Sequence, residues 1–156
     1  MSQTKHTVRT LQMMRDQGQA ITMLTAYDYP TAKQINDAGI DMILVGDSCA
    51  MVVHGHPNTL NATMDMMVLH CTAVARGCDR TYVVADMPFG SFQYGIEETM
   101  RNAARFVTEA KVDAVKFEAT HNHIAKTKAI VEMGIAVVGH VGLHPPAIGV
   151  FGGMTV

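Results

Sequence analysis

Several features that commonly reveal a function are missing from this sequence. Its 12 Lys and Arg residues are outnumbered by 14 Asp and Glu residues, which gives a net charge of −2. It therefore lacks the basic excess that nucleic acids and anionic membranes attract. No apolar run approaches the roughly 20 residues that cross a bilayer, and residues 1–19 lack the apolar core of a secretory signal. We therefore expect neither nucleic acid nor membrane as a partner.

Cysteine is also scarce. Cys49, Cys71 and Cys78 form no CxxC pair, and an odd number cannot all be joined within one chain. Few cysteines, odd in number and without a CxxC pair, are typical of a reduced intracellular protein rather than a secreted one. We expect a cytoplasmic protein, or a mitochondrial one if it is eukaryotic and a targeting segment is absent here.

What the sequence does contain is a regular alternation of short apolar runs and helical patterns. With 48% hydrophobic and 17% charged residues over 156 positions, it is typical of a single globular α/β domain covering 1–156. The pattern predicts strands at 21–26, 42–46, 82–86, 114–118 and 135–140. It predicts helices at 8–17, 30–39, 63–75, 96–110 and 124–133, with a long loop at 47–62. Strands that alternate with helices indicate a parallel sheet.

Two architectures have this alternation without a GxGxxG motif: part of a (β/α)₈ barrel of the TIM type, or a small open doubly wound sheet. A complete barrel takes about 250 residues, so we expect only about the first five βα units, an incomplete barrel. The fifth strand would then be an edge that another segment or a partner must cover.

Acidic residues stand at the downstream ends of three predicted strands. They are Asp47, Asp86 and Glu118. The carboxyl ends of parallel strands meet at one edge, where three carboxylates would repel one another unless a hard divalent cation joins them. This predicts a Mg²⁺ site. Taken singly, Asp47 could instead cap the following segment and Asp86 could form a turn.

Lys116 and Glu118 lie two residues apart on one strand, so their side chains share a face, while Val115 and Phe117 point to the other. A lysine beside carboxylates could neutralise their charge or bind a carboxylate or carbonyl oxygen of a substrate. The alternative is a structural ion pair.

Other polar residues add to this pattern. Ser48 offers a hydroxyl and an N–H to an anion, and His140, at the end of the fifth strand, either orients a substrate or is a core hydrogen-bonding residue. The two HxH patterns, at 54–56 and 121–123, could bind zinc, but we interpret them as solvated loop histidines.

In their order and spacing these motifs resemble the ketopantoate hydroxymethyltransferase (3-methyl-2-oxobutanoate hydroxymethyltransferase) family. The match runs through TAYDY at 25–29, VGDS at 45–48, GH at 55–56 with TL at 59–60, His70, ADMPFG at 85–90, VKFE at 115–118, GHVGL at 139–143 and FGG at 151–153.

The resemblance implies a (β/α)₈ barrel that forms a homo-oligomer, often a decamer. It implies that Asp47 and Asp86 ligate Mg²⁺, with Glu118 completing or supporting the site. It also implies that Asp47, Ser48, Asp86 and Lys116 contact the α-keto acid and that His140 lies near the reacting group. The family transfers a hydroxymethyl group from 5,10-methylenetetrahydrofolate to 3-methyl-2-oxobutanoate, giving 2-dehydropantoate for pantothenate and coenzyme A synthesis.

The sequence also departs from the family. In the family, the proton-abstracting glutamate lies at the end of the sixth strand. This sequence ends after the fifth strand, so His140 is the remaining candidate for the general base. We therefore expect little turnover from the isolated chain. Ala119 and Thr120 stand where the family has two glycines. Two alternatives therefore stay open: a non-catalytic truncated paralogue or subunit that associates with a full-length barrel, and a Mg²⁺-dependent α-keto acid lyase or mutase.

Overall fold

The strands form one parallel sheet whose spatial order follows the chain. The structure, a computed structural model, describes residues 4–118 and 120–142. The sheet order is β1-β2-β3-β4-β5, and every neighbouring pair is parallel. A doubly wound sheet reverses direction at a switch point, and this order contains no reversal. The predicted barrel-type winding is therefore confirmed. The strands are β1 Met23–Thr25, β2 Met42–Val45, β3 Tyr82–Asp86, β4 Ala114–Glu118 and β5 Ala136–His140.

The helices begin where short polar side chains bind the first backbone N–H groups. Thr7, Asp28 and Thr63 each accept such a bond. The helices are α1 Val8–Asp16, α2 Tyr29–Asp37, α3 Cys49–Val52, α4 Met64–Gly77, α5 Ile96–Thr108 and α6 Ile124–Glu132, and Thr59–Asn61 and His121–His123 form 3₁₀ turns. Within the described part of the chain, no helix combines the length and apolarity that a membrane span requires.

The central strands match their predicted bounds, and the first strand does not. β1 is shorter than the predicted 21–26 because Thr22 leaves the regular ladder: its backbone N–H and its hydroxyl both donate to Asp41 Oδ2, at 2.8 and 2.7 Å. A side chain thus replaces strand pairing at the Thr22 N–H, while the Thr22 carbonyl oxygen still accepts the Met42 N–H at 3.0 Å.

The segment 47–62 was predicted as an unstructured loop, and this was wrong. It contains α3 and a 3₁₀ turn, in which Asn58 accepts a bond from the Leu60 N–H at 3.0 Å. Helix α4 also continues through Gly77, two residues beyond the predicted end. Short turns of this kind carry no hydrophobic periodicity that a sequence pattern could reveal.

The two faces of the sheet have different roles. Val115 and Phe117 are buried against the helices, as the alternation predicted. On the opposite face, Leu11 of α1 packs against Tyr82, Val84 and Ala114. Helix α1 therefore covers the beginnings of the strands on the inner face, and the polar residues of the site lie at the other end. Ala119 and the motif residues from Leu143 onward, FGG at 151–153 among them, lie outside the described residues.

Candidate active site

A pocket of about 270 Å³ opens at the carboxyl ends of β2–β5. It brings together every residue that the sequence proposed for the site. Its lining consists of Leu44, Asp47, Ser48, Thr59, Asp86, Met87, Phe92, Lys116, Phe117, Glu118 and His140. This is where ligands bind in parallel α/β folds.

At the centre of the pocket an acid and a base face each other across β3 and β4. Asp86 and Lys116 are register partners, and Lys116 Nζ donates to Asp86 Oδ1 at 2.8 Å. The other carboxylate oxygen, Oδ2, accepts the backbone N–H of Asp47 at 3.4 Å. Both side chains of the pair are largely buried, with 16% of Lys116 and 10% of Asp86 exposed.

One strand further along, a second pair repeats this arrangement. Glu118 and His140 are register partners on β4 and β5, with His140 Nδ1 3.0 Å from Glu118 Oε1. An ionised carboxylate can only accept, so Nδ1 carries the proton. The basic nitrogen of the neutral imidazole is then Nε2. Glu118 thereby sets the tautomer of His140.

The carboxylates of Asp47 and Asp86 lie in surroundings that disfavour their negative charge. Burial raises the pKa of Asp47 to about 6, and the charge of Asp86 adds to the rise, while Lys116 and a hydrogen bond from Thr59 oppose it. Burial likewise raises the pKa of Asp86, against the opposing charge of Lys116. A cation at this point would stabilise both ionised carboxylates.

The donor chemistry fits a hard divalent ion. Asp47 and Asp86 present carboxylate oxygens, which are the ligands that Mg²⁺ prefers, and the pKa of each is raised chiefly because the carboxylate is buried. Among the residues described, no group of three or more His, Cys, Asp or Glu side chains is placed to hold an ion together. A ligand role for Glu118 stays a prediction.

The structure adds residues that the sequence reasoning missed. The Tyr27 hydroxyl lies 2.8 Å from Ser48 Oγ, and the Tyr27 carbonyl oxygen lies 2.6 Å from His70 Nδ1. Tyr27 follows the end of β1 as Asp47 follows the end of β2, and this equivalence was the available signal. The partners are 21 and 43 residues apart, so spacing alone could not join them.

The interpretation of the HxH residues as solvated loop histidines is confirmed for His54, which is exposed in a turn, and was wrong for His123. His54 Nε2 lies 2.8 Å from His70 Nε2. His123 is half-buried, with its ring edge-on to Phe92 at 5.2 Å and its Nδ1 2.7 Å from the Glu118 carbonyl oxygen. His123 therefore supports the strand that carries Glu118.

Solved structures with the same fold belong to a barrel superfamily. A 2,3-dimethylmalate lyase, described as a PEP mutase/isocitrate lyase superfamily member, aligns with a TM-score of 0.63 at 18% identity, over 84% of this chain and 51% of that one. A phosphonopyruvate hydrolase in complex with oxalate and Mg²⁺ aligns with a TM-score of 0.60 at 15% identity, over 79% of this chain and 45% of that one. At these identities the likeness shows the fold alone.

Similarity in sequence is much higher to another group. A 3-methyl-2-oxobutanoate hydroxymethyltransferase of Acetivibrio thermocellus is 52% identical over 149 residues, which are 96% of this chain and 53% of that protein. A rice (Oryza sativa subsp. japonica) protein named 3-methyl-2-oxobutanoate hydroxymethyltransferase 1, mitochondrial, is 51% identical over 94% of this chain and 41% of its own length. The chain spans about half the length of the curated relatives it matches. The family model described as ketopantoate hydroxymethyltransferase matches residues 5–156, and this chain belongs to that family.

Proposed function

We propose that residues 1–156 carry the metal-binding and keto-acid-binding part of a ketopantoate hydroxymethyltransferase. The reaction moves a hydroxymethyl group from 5,10-methylenetetrahydrofolate to 3-methyl-2-oxobutanoate and yields 2-dehydropantoate, a step of pantothenate synthesis. The observation that carries the proposal is the pocket in which Asp47 and the Asp86–Lys116 pair lie beside the Glu118–His140 pair. The names of the relatives supply the substrate.

Asp47 and Asp86 would hold Mg²⁺, with Glu118 completing or supporting the site from the adjacent strand. Their oxygens suit that ion, whose charge would offset the cost of burying two carboxylates. When bound, Mg²⁺ supplies polarisation of the keto group and stabilisation of the negative charge that develops as the C3 proton leaves.

Lys116 and Ser48 would bind the anionic end of the keto acid. Asp47 and Asp86 would contact the keto acid from the position at which they hold the Mg²⁺ ion. Lys116 is the one cationic side chain that lines the pocket as described, apart from the titratable His140. Its ammonium group has three donors, of which Asp86 takes one at 2.8 Å. The remaining donors suit a carboxylate or keto oxygen.

His140 is our candidate, among the pocket residues, for accepting the C3 proton. Glu118 fixes its tautomer through Nδ1, which makes Nε2 the proton-accepting atom. As that proton arrives, the carboxylate of Glu118 stabilises the imidazolium.

The partners are also proposals. We infer a small α-keto acid and the folate co-substrate as ligands, and a homo-oligomer, a decamer in this family, or further barrel strands as the cover for the edge of β5. All residues of the short edge strand β1 are exposed, as expected of an edge strand that a further strand or subunit would cover. Sedimentation of the purified chain tests the assembly, because a single monomeric species would contradict it. We place the reaction in the cytoplasm, or in the mitochondrion as in the rice relative.

Calorimetric titration of 3-methyl-2-oxobutanoate into the purified chain tests the function. We expect binding that requires Mg²⁺, and we expect Asp86→Asn to weaken it at least tenfold because an amide replaces a charged ligand. Asp65→Asn is the matched control, since Asp65 lies on α4 with 86% of its side chain exposed. Equal binding by Asp86→Asn and the unaltered chain would contradict the proposal.

The two alternatives differ from it in measurable ways. A non-catalytic subunit would bind a full-length barrel more tightly than it binds the keto acid. A lyase or mutase would yield a cleavage product without folate. The family match favours the transferase over the lyase or mutase, because the structural likeness to lyases and mutases shows fold only.

A further inference from the structure

Tyr27 lies directly behind a residue of the pocket. Its hydroxyl is 2.8 Å from Ser48 Oγ, and either atom could be the donor. Ser48 lines the pocket, whereas Tyr27 is half-buried outside the lining, with its ring packed against the core. Any effect of Tyr27 on a ligand in the pocket must therefore pass through Ser48.

The polarity of this hydrogen bond follows from acidity. A phenol, with a pKa near 10, is a stronger donor than the aliphatic hydroxyl of serine. With Tyr27 as donor, Ser48 Oγ accepts and its single proton is directed to another acceptor. Donation into an oxygen strengthens that oxygen's own O–H as a donor, since hydrogen bonds in a chain polarise one another.

We propose that Tyr27 is a positioning residue that makes Ser48 a pre-oriented hydrogen-bond donor to an anionic oxygen of the bound α-keto acid. This inference rests on the proposed function, which supplies the ligand. It assigns Ser48 the role of donor and excludes it as an acceptor of a substrate hydroxyl.

The main chain of Tyr27 is fixed by a pair of histidines. A carbonyl oxygen can only accept, so His70 Nδ1 carries the proton that it donates to Tyr27 at 2.6 Å. The other ring nitrogen of His70, Nε2, lies 2.8 Å from His54 Nε2. The two contacts hold the His70 ring between His54 and the backbone of Tyr27.

The position of the other partner, Ser48, depends on the absence of a side chain at Gly46. A Cβ atom on Gly46 would lie 2.9 Å from Ser48 Oγ, closer than such atoms approach in proteins. Glycine at this position therefore leaves Ser48 Oγ the space in which it meets Tyr27. The hydroxyl pair is fixed from both sides before a ligand arrives, which lowers the entropic cost of binding.

A double-mutant cycle tests the inference, with Tyr27→Phe, Ser48→Ala and the double variant titrated with 3-methyl-2-oxobutanoate in the presence of Mg²⁺. We expect each single variant to lose about three- to tenfold in affinity, the usual worth of one hydrogen bond. The double variant should bind no more weakly than Ser48→Ala, because Tyr27 acts through Ser48. The affinity for Mg²⁺ alone should not change. Tyr29→Phe is the control, since Tyr29 is half-exposed on α2.

The outcomes separate this inference from the function on which it rests. If the unaltered chain binds the keto acid, unchanged affinity in Tyr27→Phe or fully additive losses overturn the inference alone. If it does not bind the keto acid, oxalate with Mg²⁺ replaces it as the probe, because its adjacent oxygens resemble those of an α-keto acid, and the same cycle decides. Binding of neither anion overturns both proposals.

Discussion

Asp86 and Lys116 are register partners on adjacent strands, and their side chains form an ion pair with 2.8 Å between Oδ1 and Nζ. Glu118 and His140 repeat the relationship one strand further along, at 3.0 Å. Strand register thus places an acid beside a base twice at the same end of the sheet. Because both pairs are largely buried, the loss of one partner leaves a charge that water cannot fully stabilise.

Lys116→Met should destabilise the chain at pH 8, because it removes the cation that opposes the cost of burying the Asp86 carboxyl group beside Asp47. We expect the free energy of unfolding to fall by about 3 kcal/mol, the usual cost of breaking a buried pair. Urea unfolding followed by circular dichroism measures it. Lys33→Met is the control, because Lys33 forms an exposed pair with Asp37 and its loss should have little effect. Equal effects of the two substitutions would contradict the buried-pair interpretation.

Asp47→Asn should stabilise the chain in the absence of Mg²⁺. Below its ordinary pKa of 3.8 the carboxyl is protonated in both folded and unfolded chains, so the variant gains nothing there. As the pH rises through about 6, the buried carboxyl ionises at a cost that asparagine avoids. We expect a gain of about 1–2 kcal/mol at pH 8, since water still reaches Asp47 in part.

The same variant should lose its response to metal. Mg²⁺ should raise the urea midpoint of the unaltered chain by mass action and leave that of Asp47→Asn nearly unchanged. A larger Mg²⁺ response in the variant would contradict the assignment of Asp47 as a ligand.

Gly46→Ala and Gly77→Ala should separate binding from stability. The added Cβ at Gly46 would lie 2.9 Å from Ser48 Oγ, a side-chain atom that can turn away. At Gly77 it would lie 3.0 Å from the Tyr29 carbonyl oxygen and 3.1 Å from the Lys33 nitrogen, which are backbone atoms of α2. We expect Gly46→Ala to weaken keto-acid binding at little cost in stability, and Gly77→Ala to lower the melting temperature. Calorimetric titration measures keto-acid binding, and thermal unfolding measures stability. A lower melting temperature in Gly46→Ala together with weaker binding in Gly77→Ala would contradict the contacts described at these two glycines.

Asn36→Ala should destabilise the fold without touching the site. The buried Asn36 Oδ1 accepts the backbone N–H groups of Arg80 and Thr81 at 3.0 and 3.2 Å, and its amide nitrogen donates to Asp79 at 2.8 Å. Removing it leaves buried donors unsatisfied, at a cost of about 2–3 kcal/mol in unfolding free energy. The exposed Asn122→Ala is the control, and keto-acid affinity should be the same in both variants at a temperature where they are folded.

The sequence predicted the strands best at the centre of the sheet. β3 and β4 have the predicted bounds, and both strands are buried along nearly their whole length. The bounds of β1 differ from the prediction, because Asp41 binds Thr22 across 19 residues and the strand begins only at Met23. The short helix α3 was missed, since one turn has no period to detect.

By itself the sequence determined the parallel direction of the strands and which polar residues line the pocket. The alternation of strands and helices dictates parallel strands, and the period of two residues along β4 places Lys116 and Glu118 on one face. Only the tertiary structure decided the pairing: Lys116 with Asp86, Glu118 with His140, and Tyr27 with Ser48. Such pairs depend on register and on contacts 21–30 residues apart, and local residue preferences do not encode these.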